Sequence, residues 1–166
     1  HFHNMLKRYF WLASLLAAAL HCTAQGNNHN LQLRATLDFP ESALANMWGY
    51  VSPDGREYAL LAEHFFQGEL IIVDITNPDT PSVITKIPAG FVTEVQTYSH
   101  YAYCSTGVVV DLSALPDTNL LYFEERFTPG HTLHIDQAKG FLYSHGTQIQ
   151  TGTTRVYDLN SNPVKP

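Results

Sequence analysis

Leu70-Ile-Ile-Val-Asp74 and Gly107-Val-Val-Val-Asp111 decide the fold of this chain. Each is an unbroken aliphatic run ending on a carboxylate, and neither alternates apolar with polar residues. A strand of that kind is buried on both faces. Thr154-Arg-Val-Tyr-Asp158 also closes on aspartate, so Asp74, Asp111 and Asp158 recur at steps of 37 and 47 residues.

Working outward, each run sits third in a common order of short strands and turns. The first unit reads Met47 to Val51, a turn closing at Gly55, Tyr58 to Leu61, a loop, Leu70 to Asp74, and Ser82 to Lys86. The second reads Glu94 to Tyr98, a tight Ser99-His100 turn, Tyr101 to Cys104, Gly107 to Asp111, and Leu120 to Glu124. In the third, His131 to Ile135 is followed by a turn closing at Gly140, Phe141 to Ser144, a polar loop, and Thr154 to Asp158. Aligning the second strands on tyrosine pairs Tyr58, Tyr103 and Tyr143, at steps of 45 and 40. A four-stranded unit recurring every 40 or so residues predicts an all-β chain of antiparallel propeller blades. The aspartates that close the third strands are expected to cap the amides of the following turn, with Pro78 fixing that turn in the first unit.

Several ordered motifs strengthen this reading: Asn46-Met-Trp-Gly-Tyr50, Asp54-Gly-Arg-Glu-Tyr-Ala59, Leu70 to Pro78, Thr97-Tyr-Ser-His-Tyr-Ala-Tyr103 and Val110-Asp-Leu-Ser-Ala-Leu-Pro116. Together they resemble the LVIVD-repeat β-propellers of the choice-of-anchor B family, over about residues 46–166. The resemblance implies an exported protein, often bacterial, in a family with varied C-terminal anchoring tails and no firmly assigned catalytic activity. Two places depart from the family pattern. Thr93-Glu-Val-Gln96 lacks the Trp-Arg that often precedes the acidic residue, and Gly130-His-Thr-Leu133 keeps the histidine without the following asparagine. Three blades (about 46–90, 91–127 and 128–166) leave the ring incomplete, so the chain is expected to be the N-terminal part of a longer protein.

Upstream, Met5 to Phe10 is a short basic start, and Trp11 to Leu20 is an apolar run too short to span a membrane. Residues 1–24 are therefore expected to form a signal-peptide helix, with Met5 as the true start and cleavage before Gln25, and 25–45 to be a lead-in. Cys22 also permits a lipoprotein reading, against which the bulky His21 stands. Cleavage leaves Cys104 as the only thiol, so no internal disulfide is expected and the core must hold the fold. The expected location is the cell surface or beyond it, with membrane contact only through the leader or a C-terminal anchor.

The chain has 166 residues, 45% apolar and 14% charged, with a formal charge of −6. Removing Lys7 and Arg8 with the leader leaves 7 basic against 15 acidic side chains, or −8. Such a surface repels phosphate backbones and excludes nucleic acid as a partner.

In a propeller the loops between second and third strands share one end with the connections between blades. That arrangement gathers His64, Phe65, Phe66, Phe91, His131 and His145 at one mouth, with Glu94 at the start of an inner strand. Aromatic rings beside imidazoles suit stacking on a sugar or gripping a peptide, so the expected partner is an extracellular peptide, protein or glycan. Glu94 aligns with His131, and this pair is the candidate for a divalent metal. His134 and Asp136 share a strand face that His131 does not. Otherwise no cofactor is expected, since phosphate-loop, dinucleotide and nucleophile-elbow motifs are lacking. Glu124 and Glu125 are adjacent on a strand and point opposite ways, so they make no glycosidase pair. The leading expectation is non-catalytic binding, and the alternative is a metal-dependent hydrolase or lyase at the mouth.

Overall fold

The computed structural model describes residues 31–146 and 152–166, so the expected leader at 1–24 lies outside the described residues. Residues 34–166 form one compact unit, which carries every element below. It is all-β, with no helix among the described residues.

The first sheet is an antiparallel meander of β1 (Leu44–Val51), β2 (Glu57–Glu63), β3 (Glu69–Asp74) and β4 (Ser82–Pro88). The second repeats that order with β5 (Val95–Tyr98), β6 (Tyr101–Cys104), β7 (Val109–Asp111) and the short β8 (Tyr122–Phe123). The third has β9 (Thr132–Asp136), β10 (Phe141–His145) and β11 (Thr154–Asp158). The first strands lie side by side, β5 beside both β1 and β9.

Register corrects the tyrosine alignment. Tyr58 pairs with Asp74, Tyr101 with Asp111 and Phe141 with Asp158, so these three aromatic residues are the equivalent positions. Tyr103 and Tyr143 correspond to each other and to Leu60. The shift is two residues, which keeps every side chain on its original face and so leaves no trace in an apolar pattern of period two. By the same count Glu94 corresponds to Thr132, one residue beyond His131.

The central strands of the first and second sheets are dry on both sides because each of those sheets has two packed faces. Leu60 and Ile72 of the first sheet meet Val95, Ala102, Cys104 and Val110 of the second in one core. Tyr103 and Val109, on the second sheet's other face, pack with Leu133, Ile135 and Leu142 of the third. Leu70, Ile71 and Ile72 are completely buried, and burial of each such side chain contributes about 1.5–3 kcal/mol.

Polar side chains of one first strand also reach the next. Trp48 Nε1 donates to Thr97 Oγ1 at 3.0 Å, and Val95 N donates to Asn46 Oδ1 at 3.4 Å. One sheet on, Leu133 N donates to Glu94 Oε2 at 2.6 Å and Ile135 N to Gln96 Oε1 at 2.7 Å, while Gln96 Nε2 donates to Leu133 O at 2.8 Å. Asn46 and Glu94 are equivalent positions and each accepts an outward amide that a first strand cannot pair within its own sheet, so both junctions share that device; Trp48 and Gln96 are also equivalent, but Trp48 donates to a hydroxyl where Gln96 binds backbone.

The strand-closing aspartates behave alike at the far end of the sheets. Asp74, Asp111 and Asp158 each accept the amide two residues on, from Thr76 at 2.8 Å, Ser113 at 2.9 Å and Asn160 at 2.9 Å. Hydrogen bonds to the ionised form hold the Asp74 and Asp158 carboxyls below the usual carboxylate range. Thr76 is the main cause for the first, and the Ser161 hydroxyl for the second.

Candidate functional site

At the end opposite those aspartates, three kinds of segment converge: the β2–β3 loop, the β6–β7 turn, and the connections from sheet to sheet. They enclose a cavity of about 450 Å³ lined by His64, Phe91, Thr93, Ser105, His131 and Gly146 among others.

The β2–β3 loop is held from beneath by Glu63. Its carboxylate is fully buried and accepts the amides of Gly68 and, at 3.4 Å, Ala43. Gly68 lies at φ 68°, where a Cβ would come within 2.8 Å of the Gly90 backbone carbon, so this close approach requires glycine. The fixed loop presents His64, Phe65 and Phe66. The His64 ring packs edge-on against Phe65 with centroids 4.3 Å apart, and against Phe91 at 6.3 Å. Phe65, Phe66 and Phe91 are 58%, 70% and 62% exposed. Phe66 also sits at φ 59°, a left-handed conformation that is strained for a bulky side chain. The loop spends backbone energy to hold an apolar ring in solvent.

The floor is a hydroxyl relay that sequence reasoning missed, because serine and threonine in turns carry no motif. Thr93 Oγ1 lies 2.6 Å from His131 O and 2.8 Å from Ser105 Oγ. A hydroxyl has one proton and a carbonyl none, so Thr93 donates to His131 O and Ser105 donates to Thr93. The Ser105 oxygen in turn accepts Thr93 N at 2.9 Å and Glu94 N at 3.3 Å. These polar groups are occupied in binding the loops to one another. What the cleft offers a ligand is imidazole edges and aromatic faces.

The structure brings His64, Phe91 and His131 to this cavity, with Phe65 packed on the His64 ring; Phe66, next in the loop, is not among its lining residues. His145 stands at the end of β10, beside the lining residue Gly146, with Nδ1 2.8 Å from Thr154 Oγ1. Glu94 is engaged elsewhere, in the bond to Leu133 N that joins the second and third sheets. Among the described residues no group of three or more His, Cys, Asp and Glu side chains is placed to hold a metal ion. His134 lies outside the cleft and stacks on Tyr143, centroids 6.1 Å apart, on the outer face of the third sheet. Cys104 is no nucleophile, since burial pushes its thiol up to about 12.

A second hollow, about 610 Å³, lies at the opposite end between Tyr98, His100, Gln137 and Asn160. Its polar groups are largely mutual partners, as where Tyr98 Oη donates to Asn160 Oδ1 at 2.9 Å. The smaller cleft, with its strained loop and bare rings, is the better candidate. No protein-family model matches this chain, and no curated protein or solved structure matches it.

Proposed function

We propose that this chain is an exported binding module, its three sheets being successive blades of a β-propeller of the LVIVD-repeat, choice-of-anchor B kind. It would hold an extracellular peptide or glycan without catalysis at the His64–Phe91–His131 cleft. The blade reading is supported by three meanders stacked face to face with their first strands adjacent. Export is supported by the basic and apolar leader in the sequence.

The observation that carries the ligand reading is Phe91, a phenyl ring that lines the cleft beside His64 and is 62% exposed, with the 70% exposed Phe66 on a left-handed backbone in the same loop as His64. An aromatic face in water gains by stacking on the apolar side of a sugar ring or of a peptide side chain, while imidazoles supply direction. Titration calorimetry against a panel of soluble oligosaccharides and unstructured peptides tests it. A ligand should bind, and Phe91→Ala should weaken it by about tenfold, the scale of one lost aromatic contact. The reading fails if nothing in the panel binds, or if binding is indifferent to Phe66 and Phe91. A metal-dependent hydrolytic activity abolished by His131→Ala would favour the enzyme reading instead.

A further inference from the structure

A hairpin at the opposite end of the sheets carries chemistry that the cleft does not use. The hairpins opening the first and third sheets place glycine at positive φ, Gly55 at 85° and Gly140 at 70°. The one opening the second sheet is a two-residue turn between the paired Tyr98 and Tyr101, and it places Ser99 at φ 54°. A side chain is kept where glycine would be free of strain, and strain of that kind concentrates at functional positions. The Ser99 hydroxyl lies 3.1 Å from His100 Nδ1. On the other side of the ring, His100 Nε2 faces Asp111 Oδ1 at 3.9 Å. A carboxylate beside Nε2 draws the imidazole proton to that nitrogen and leaves Nδ1 as the acceptor of the serine proton. All three residues are held. Leu112 N donates to His100 O at 2.8 Å, Ser113 N donates to Asp111 at 2.9 Å, and the imidazole lies against Tyr101 with centroids 4.2 Å apart. Ser99 and His100 line the 610 Å³ hollow together with Tyr98, Gln137 and Pro163.

We propose that Ser99, His100 and Asp111 form an esterase-type site, separate from the cleft and independent of what the cleft binds. Ser99 is the nucleophile, His100 the general base, and Asp111 a positioning residue for the imidazole. The substrate class is a carboxylic ester seated in the hollow beside Tyr98 and Pro163. A nucleophile within hydrogen-bond reach of a base that a third group orients is the arrangement such chemistry needs. The His100–Asp111 spacing is longer than a hydrogen bond, and in free enzymes these contacts are often long and tighten with substrate bound. Ser99 Oγ attacks the carbonyl carbon as its proton passes to His100 Nδ1. The tetrahedral adduct then breaks its bond to the alkoxy group, which takes that proton and leaves as alcohol, so Ser99 is acylated. Water, deprotonated by the same nitrogen, cleaves the acyl–serine bond, releases the carboxylic acid and restores both residues. The amides of Ser99 and His100 lie in the turn, outside the β5–β6 ladder. The nucleophile's own amide and the next one are donors that serine hydrolases turn toward the developing oxyanion.

Two probes test this on the purified chain: p-nitrophenyl acetate for turnover, and a fluorophosphonate, which bonds to an activated serine with loss of fluoride, for the nucleophile. Wild type should hydrolyse the ester and carry the phosphonyl group on Ser99 by peptide mass mapping. Ser99→Gly accepts the backbone angle, so it should unfold no earlier than wild type while losing label and turnover. His100→Ala, at a side chain 40% exposed, should slow both by about a hundredfold, the lower end of what a general base supplies. Asp111→Asn keeps an acceptor for Ser113 N and should lower kcat at unchanged KM, which loss of a turn cap would not do. The proposal is overturned by ester hydrolysis equal in wild type and Ser99→Gly, or by label that misses Ser99. A full labelling rate in His100→Ala, or a kcat untouched by Asp111→Asn, would overturn it as well.

Discussion

Replacing Gln96 by leucine removes hydrogen bonds while nearly keeping volume, and it isolates what joins the second sheet to the third. Gln96 is 5% exposed, accepts Ile135 N at 2.7 Å and donates to Leu133 O at 2.8 Å. Those two residues are themselves 3% and 4% exposed, so water cannot substitute for the lost amide. A buried backbone group left unpaired costs about 1–3 kcal/mol, and two are stranded here. The added leucine burial returns about 1 kcal/mol, giving an expected loss of about 1–5 kcal/mol. Against a total stability of about 5–15 kcal/mol that is a large fraction. Urea denaturation should show a lower midpoint at unchanged slope, and the Ile135 amide should exchange faster with deuterium. Gln137→Leu is the control, since its one bond, from Nε2 to Thr97 O at 2.6 Å, comes from an exposed residue. It should cost about 1 kcal/mol or less. If Gln96→Leu loses under about 0.5 kcal/mol, below the worth of a single hydrogen bond, the bridging device does not hold the sheets together.

Phe66→Gly should stabilise the fold by about 0.5–1 kcal/mol in the same denaturation, because glycine accepts the φ of 59° without strain. That variant should also bind any cleft ligand about tenfold more weakly, so stability and binding move in opposite directions. The Asp74 and Asp158 carboxyls are held low in the fold, so their contribution is fully present above the ordinary value of about 3.9 and is lost as pH falls through the lowered values. Stability should therefore drop on acidification below about pH 4, and Asp158→Asn, which keeps an acceptor but does not titrate, should flatten part of that drop in acid titrations followed by circular dichroism. Cys104 is wholly buried with its thiol pushed up to about 12, so Ellman's reagent should leave it untouched in the native protein and label it fully in urea. Labelling of the native protein at the unfolded rate would contradict the packing of β6.

Local chemistry made much of this legible in the residues themselves. Unbroken apolar runs such as Leu70 to Val73 cannot face water on either side, so they require a sheet covered twice, and the structure places them there. Gly55 and Gly140 mark hairpin turns because their backbones lie at positive φ, 85° and 70°, where glycine is at ease. Asp74, Asp111 and Asp158 were readable as caps because the amide they accept lies only two residues along the chain. Strand order and the end of the sheets on which His64, Phe91 and His131 gather followed from the same punctuation.

What spacing could not carry was anything settled between distant segments. A two-residue slip in register preserves every face, so only hydrogen-bonded pairing shows that Tyr58 matches Tyr101 and Phe141. Glu94 reads in the sequence as a free carboxylate near a histidine, yet it binds Leu133 N, a partner 39 residues away. Ser105 and Thr93 become the floor of the cleft only because the β6 turn and the sheet-to-sheet connection are folded against each other. Composition and period thus determined the strands, their turns and their burial, since those depend on neighbours along the chain. The roles of individual polar side chains were decided by tertiary structure, because a hydrogen-bond donor or acceptor takes whichever partner packing brings within reach.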